Sequence, residues 1–321
     1  MSAVAQPKRV DFIRSLIYQF GLILLLGGLA GHALADEWPT QQYKLKHGLN
    51  PFATRLSDEQ VTKIEDLMQQ YAVEYQRQGW RAPFHEMEDG AYVVYVRSIP
   101  TGHSARAANM CADPSRRTYI EIDPKVWNGN IGTKYEAKNW QDLAHEMFHT
   151  IQGSYSAFQS CPNNKGIGSW VHEGTAEAVG IYMARKIASV RPYTICQIGL
   201  RSYATKLHLP DGATDRDCNN NVQKSYQTSS FWTYLGEWKA KKAPPTPKQT
   251  TQPDFRYLQP IFETRPAKFT SQYEYIWLDQ GLKKSSNLGF SLRKAYGRFV
   301  AAFSGYLPER AKFYRGGAPG V

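Results

Sequence analysis

The stretch Asn139–Gly153, NWQDLAHEMFHTIQG, constrains this chain more than any other. Apolar Trp140, Ala144, Phe148 and Ile151 recur at helical spacing, and Gly153 offers a C-terminal stop. On a helix turning about 100° per residue, His145 and His149 differ by about 40°, so both imidazoles leave one face. Two neutral imidazoles one turn apart can chelate a single Zn²⁺ at about 2.0–2.1 Å each. Glu146 points about 100° from His145 and about 60° from His149. It stands beside such a metal rather than on it, where a carboxylate can take a proton from a polarised water. With eight His in 321 residues and Glu at ~5%, HExxH arises by chance roughly 0.01 times in this chain. The competing reading is two surface histidines on a solvated helix face.

A hydrolytic zinc site takes three protein ligands and keeps a fourth position open. The next acidic pair downstream lies in Trp170–Glu177, WVHEGTAE, with Glu173 separated from His149 by 23 residues. That is enough chain for a loop and a helix that returns alongside the first. Glu173 and Glu177 share a face one turn apart, and two carboxylates that close repel unless a cation lies near. From the residues alone, either could be the third ligand.

The paired motifs HExxH and WxxEGxAE resemble those of the gluzincin zinc metallopeptidases of the peptidase MA-like superfamily, over about Trp140 to Trp238. In that family the Glu before Gly binds zinc, which implies Glu173 as third ligand beside His145 and His149. An acidic residue one turn later often hydrogen-bonds a ligand histidine, which implies that role for Glu177. A tyrosine from a following helix commonly donates to the developing oxyanion, and Tyr226 in SYQTS is the position that implies. The implied fold is α+β and zincin-like: a small mixed sheet packed on the HExxH helix, with a mainly helical C-terminal lobe. The implied activity is peptide-bond hydrolysis, with Glu146 as general base. An edge strand lining the substrate cleft is also implied, to which a peptide could add by main-chain hydrogen bonds; Tyr119 and Glu121 are candidates to line it, with ordinary sheet residues the preferred reading of both. Two alternatives stand beside this one. They are an exported metal-binding, envelope-interaction module without catalysis, and a zinc amidase acting on cell-wall peptides.

The formal charge of +11 allows an anionic partner such as an envelope surface. No basic-aromatic repeat or zinc-finger spacing points to nucleic acid, and none is expected as a partner. The N-terminus points to export. Lys8, Arg9 and Arg14 precede an apolar run, Phe20–Gly31, too short for a comfortable membrane span, and Ala33-Leu34-Ala35 offers a cleavage site. Residues 1–35 therefore read as a signal peptide, leaving a mature charge of +9 in the periplasm or outside the cell. An uncleaved anchor over Ser15–Ala35 is the alternative.

Four cysteines, none in a C-x-x-C pair, allow three disulfide pairings. Cys196–Cys218 closing a local loop, with Cys111–Cys161, is the neatest. Free buried thiols are the reading for a reducing compartment.

Along the chain, Asp36–Arg55 shows little pattern. Ser57–Gln60 forms a capping box before a helix with the apolar stripe Val61, Ile64, Met68, Tyr71 and Tyr75, ending at Gly79. Ala91–Ile99 and Arg117–Asp123 read as strands, with a loop over Thr101–Asp113. The second metal helix is expected over Ser169–Val190, and another over Val222–Lys239. These divide the chain into a catalytic domain, 36–240, a Pro/Lys-rich linker or loop, 241–254, and a helical C-terminal lobe, 255–321.

Overall fold

The sheet is seeded where β-branched and aromatic residues concentrate, in AYVVYV and YIEI. The computed structural model describes residues 38, 43–48, 54–100, 102–109, 117–133, 135–159, 167–189, 228–241, 252–268, 270–285, 289 and 291–304. All of them belong to one compact unit, Glu37–Val321. Residues 1–35, expected to be a signal peptide, lie outside this set. Among the described residues no helix is long and apolar enough to cross a membrane.

Five strands form one mixed sheet: β1 (Tyr43–His47), β2 (Met87–Glu88), β3 (Ala91–Val96), β4 (Ala105–Ala108) and β5 (Tyr119–Ile122), in the order β1-β3-β5-β4. The β1–β3 and β3–β5 pairs are parallel, β4–β5 is antiparallel, and β2 forms a hairpin with β3. Eight α-helices are described: α1 (Asp58–Arg77), α2 (Pro124–Asn130), α3 (Glu136–Gln152), α4 (Ser169–Lys186), α5 (Ser229–Lys241), α6 (Gln259–Phe262), α7 (Ser271–Lys284) and α8 (Leu292–Ser304). The chain is thus a mixed α/β protein with a small mixed sheet.

Two strands were hidden in the sequence. YKLKH falls in the stretch with little pattern, yet it pairs along its whole length with β3. ARAA falls in the expected loop, because alanine and arginine carry little strand propensity. Its pairing with β5, from Ala105↔Ile122 to Ala108↔Tyr119, makes it a strand.

Alternation sorts the sheet into two faces. Val94, Val96, Ile120, Ile122 and Ala105 join the hydrophobic core with the helices. Tyr95, Glu121 and Arg106 occupy the other face. Helix α1 begins with the capping box, Ser57 and Gln60 each bonding the other's main chain. It is tied to α3 by two buried hydroxyls: Tyr71 donates to Trp140 O at 3.2 Å and Tyr75 to Ala144 O at 2.8 Å. It is tied to α4 by Lys186, whose Nζ lies 2.7 Å from Glu74 Oε1. Helix α4 stops at Lys186, short of the expected Val190, and Ser189 takes a φ of 54°, outside helical space.

The C-terminal helices hold the start of α4. Glu274 of α7, 3% exposed, accepts from Gly168 N at 2.8 Å and Trp170 Nε1 at 3.4 Å. It thereby satisfies a free N–H at the end of a helix whose own N-cap residue, Gly168, has no side chain. Of the expected linker, residues 252–254 are described, and Asp254 N bonds Gly236 O of α5 at 2.9 Å.

Candidate metal centre

The site forms where α3 and α4 cross beneath the β4 edge. His145 Nε2 and His149 Nε2 both lie 3.2 Å from Glu173 Oε2. A carboxylate oxygen of Glu146 lies within 4.8 Å of a ring nitrogen of each histidine. Both imidazoles are nearly sealed from solvent, with 3% and 4% exposure.

The other ring nitrogen of each histidine is engaged. His145 Nδ1 donates to Glu177 Oε2 at 3.0 Å, and His149 Nδ1 donates to Gln152 Oε1 at 2.7 Å. A carboxylate and an amide oxygen only accept, so each Nδ1 carries a proton, and each imidazole in its neutral form presents its Nε2 lone pair. Two lone pairs and a carboxylate oxygen therefore face one another across 3.2 Å. Such a cluster needs a cation or an extra proton between its members. Two imidazoles and one carboxylate with their outer nitrogens tied are the donor set of a three-ligand Zn²⁺ site. The residues fit the metal.

The electrostatics agree. Burial works to raise the Glu173 carboxyl, but the facing His149 and His145 outweigh it and hold Glu173 well below the usual range. Burial works to lower His145, but Glu173 and Glu177 outweigh it and hold it well above the usual imidazole range. A positive charge is strongly favoured at this point, whether a proton or a metal supplies it. Glu146 moves the other way: burial pushes its carboxyl up against the pull of both histidines. A raised carboxyl suits a group that must take a proton and give it back.

Glu146 is held by the sheet. Its Oε2 accepts from Ala107 N at 2.6 Å. The Asp123 N to Ser104 O bond sets the alternation of β4, so Arg106 and Ala108 bond toward β5. Ala105 and Ala107 turn their main chain to the open edge, and Ala107 meets Glu146 there. Lower on the same helix stripe, Asp142 accepts from Ser104 Oγ and from Lys138.

Two glycines permit the close packing of α4, Gly180 against α3 and Gly174 against Thr228 and Trp232. A Cβ on Gly180 would stand 3.1 Å from His145 Cβ and N. One on Gly174, directly after Glu173, would stand 1.9 Å from Thr228 Oγ1 and 2.7 Å from Trp232 Nε1. Those two groups donate to Trp170 O at 2.8 and 3.0 Å, docking the first turn of α4 on α5.

Several residues here were not legible as site residues. Gln152 was one, although its place three residues after His149 is the signal for a same-face partner. Its Nε2 also donates to Thr175 Oγ1 at 2.8 Å and to His172 O at 3.1 Å, joining α3 to α4. Gln141 donates to Glu177 Oε1 and fixes that carboxylate. His172, which helical rotation turns away from the site, instead packs on His149 with ring centroids 4.2 Å apart. Its Nδ1 stands 3.5 Å from Glu173 Oε1. Glu121 does not open on a cleft; it is buried between Arg97 and Arg106. Tyr226 and the four cysteines, with the pairs Cys111–Cys161 and Cys196–Cys218, lie outside the described residues.

Compared with known proteins, the chain matches no family model, no curated protein and no solved structure.

Proposed function

We propose that this chain is an exported zinc metallopeptidase of zincin-like fold, hydrolysing peptide bonds with Glu146 as general base. One observation carries the reading. Two Nε2 atoms and Glu173 Oε2 converge at 3.2 Å, both Nδ1 atoms are tied, and the Glu146 carboxylate stands beside them rather than among the tied groups.

His145, His149 and Glu173 would hold the metal. When bound, Zn²⁺ supplies Lewis-acid polarisation of a water and of the scissile carbonyl. Glu177 and Gln152 keep the two imidazoles in the tautomer that offers Nε2. Glu146 takes the proton of the attacking water on its carboxylate and returns it to the departing amine nitrogen. The outward N–H and C=O of Ala105 and the C=O of Ala107 give a substrate strand a place to pair, beside the Ala107 N–H that holds Glu146. Burial raises the Glu146 carboxyl, the direction that favours its taking up a proton. Tyr226 completes the proposal as a donor to the oxyanion.

Export rests on the basic start, apolar run and Ala33-Leu34-Ala35 site of residues 1–35. A purely structural metal site has no use for a carboxylate held beside its ligands by a strand N–H, and this favours catalysis over a metal-binding module. The test incubates purified protein with mixed peptides and, separately, with cell-wall fragments, with and without chelator. Chelator-sensitive cleavage of peptides, absent in Glu146→Gln, is the expected result. Cleavage of cell-wall fragments alone moves the assignment to an amidase. Bound metal without cleavage of either substrate defeats the hydrolase reading.

A further inference from the structure

Among the described residues, the outer face of the sheet carries two arginines on one carboxylate. Glu121 of β5, 3% exposed, is shared by two guanidinium groups. Arg97 pairs with Oε1, and Arg106 pairs with Oε2 through its Nε at 2.8 Å and its Nη2. Among the described residues, Glu121 is the one carboxylate paired with either arginine. Two positive charges thus share one negative charge.

The two arginines differ in what else holds them. The Arg97 guanidinium lies over the rings of Tyr95 and Tyr119 at 5.2 and 5.3 Å, and its Nη2 donates to the Tyr119 hydroxyl at 3.2 Å. Among the described residues no ring lies beneath Arg106, and its side chain is 41% exposed. It also sits on β4, the strand with the open edge. Its cross-strand neighbour on one side is Glu121, in register. On the other side, among the described residues, no strand pairs with β4.

Directly opposed residues on neighbouring strands put their side chains on the same face, about 4.5–5.5 Å apart at Cβ. A peptide added along β4 therefore places one side chain beside Arg106, on the face away from α3. We infer that Arg106 selects an acidic side chain at that position, so that the peptide preferred by this site carries Asp or Glu one residue away from the segment that faces Ala107 and Glu146. This rests on the proposed pairing of a peptide with β4 and names the substrate class of that site. The ion pair formed would be partly exposed, so it weakens with salt.

The experiment uses quenched peptides identical except at one position, which is walked along the sequence as Asp, Asn or Lys. At one position the wild-type protein should favour Asp over Asn by about three- to fivefold in kcat/KM, less at high salt, and disfavour Lys. Arg106→Gln should bring Asp and Asn within about twofold, with the Asn rate largely kept. Arg106→Glu should prefer the Lys peptide, a gain that an unfolded variant could not show. Binding of the same peptides to Glu146→Gln protein by fluorescence polarisation reads the preference without cleavage. A charge preference in binding with no cleavage by wild type would sink the hydrolase reading and keep this one. Equal affinity and equal rates for Asp, Asn and Lys at every position, or a preference unchanged in Arg106→Gln, overturns it.

Discussion

Gln152→Leu isolates the one device that orients His149. The glutamine is fully buried and makes three bonds: one accepted from His149 Nδ1 at 2.7 Å, and two donated, to Thr175 Oγ1 and His172 O. Leucine is similar in size and leaves little void, so the loss is polar. A buried donor left without a partner costs about 1–3 kcal/mol, and His149 Nδ1 becomes such a donor. The histidine can escape by turning its ring or moving its proton to Nε2, and either removes the lone pair from the metal. Both routes weaken metal binding, by about 10–100-fold on the scale seen for partners of ligand histidines. The assay is competition for Zn²⁺ against a chelator of known affinity at neutral pH, with a thermal melt of the metal-free protein beside it. Gln159→Leu, whose one hydrogen bond among the described residues goes to Ser154 O, is the control and should bind as wild type does. A Gln152→Leu affinity within twofold of wild type would refute the claim that the Nδ1 bond sets the donor geometry.

Glu146→Gln should abolish hydrolysis and leave metal content near normal, measured by peptide assay and elemental analysis on one preparation. Gly174→Ala should lower stability by about 1–3 kcal/mol in a urea melt, because its Cβ would overlap Thr228 Oγ1, which together with Trp232 docks α4. Glu74 gives a pH signature. Burial works to raise its carboxyl, but bonds from Arg77, Lys186 and Gln78 bring it from 4.5 down to about 2. A depressed carboxylate contributes stability that is complete above the unfolded value and is lost as pH falls through the folded one. Glu74→Gln should therefore cost about 2 kcal/mol at neutral pH and flatten the loss of stability between about pH 4.5 and 2 in a melt series. Chelation should lower the melting temperature and added Zn²⁺ restore it, since a ligand that binds the folded state alone stabilises it.

The parts of the site that could be read in advance were those with a fixed spacing on one helix. The two histidines and Glu146 follow from HExxH because a helix converts spacing into direction. The separation of Glu173 from Glu177 did not follow, because which of two carboxylates one turn apart reaches the histidines depends on how α4 crosses α3. Gly180 permits that crossing, since a Cβ there would stand 3.1 Å from His145 Cβ and N. Strand β4 was illegible because ARAA has no strand character of its own; its pairing with β5 and the bond from Ala107 N to Glu146 create it. YKLKH was overlooked for a different reason: its alternation is short and flanked by polar residues, and its partner, β3, lies far along the chain. Helix α1 was legible from its cap and its apolar stripe, yet its role was not. Tyr71 and Tyr75 look like ordinary core residues, and only tertiary packing shows their hydroxyls bonding α3 carbonyls.

The most direct test is the Zn²⁺ content of wild-type, Glu173→Ala and Glu177→Ala proteins after dialysis against buffered metal. Wild type should retain about one ion per chain and Glu173→Ala almost none; Glu177→Ala should keep a site weakened by about 10–100-fold. A wild-type protein that holds no metal, or a Glu173→Ala protein with a full complement, would contradict the convergence of His145, His149 and Glu173 on one ion.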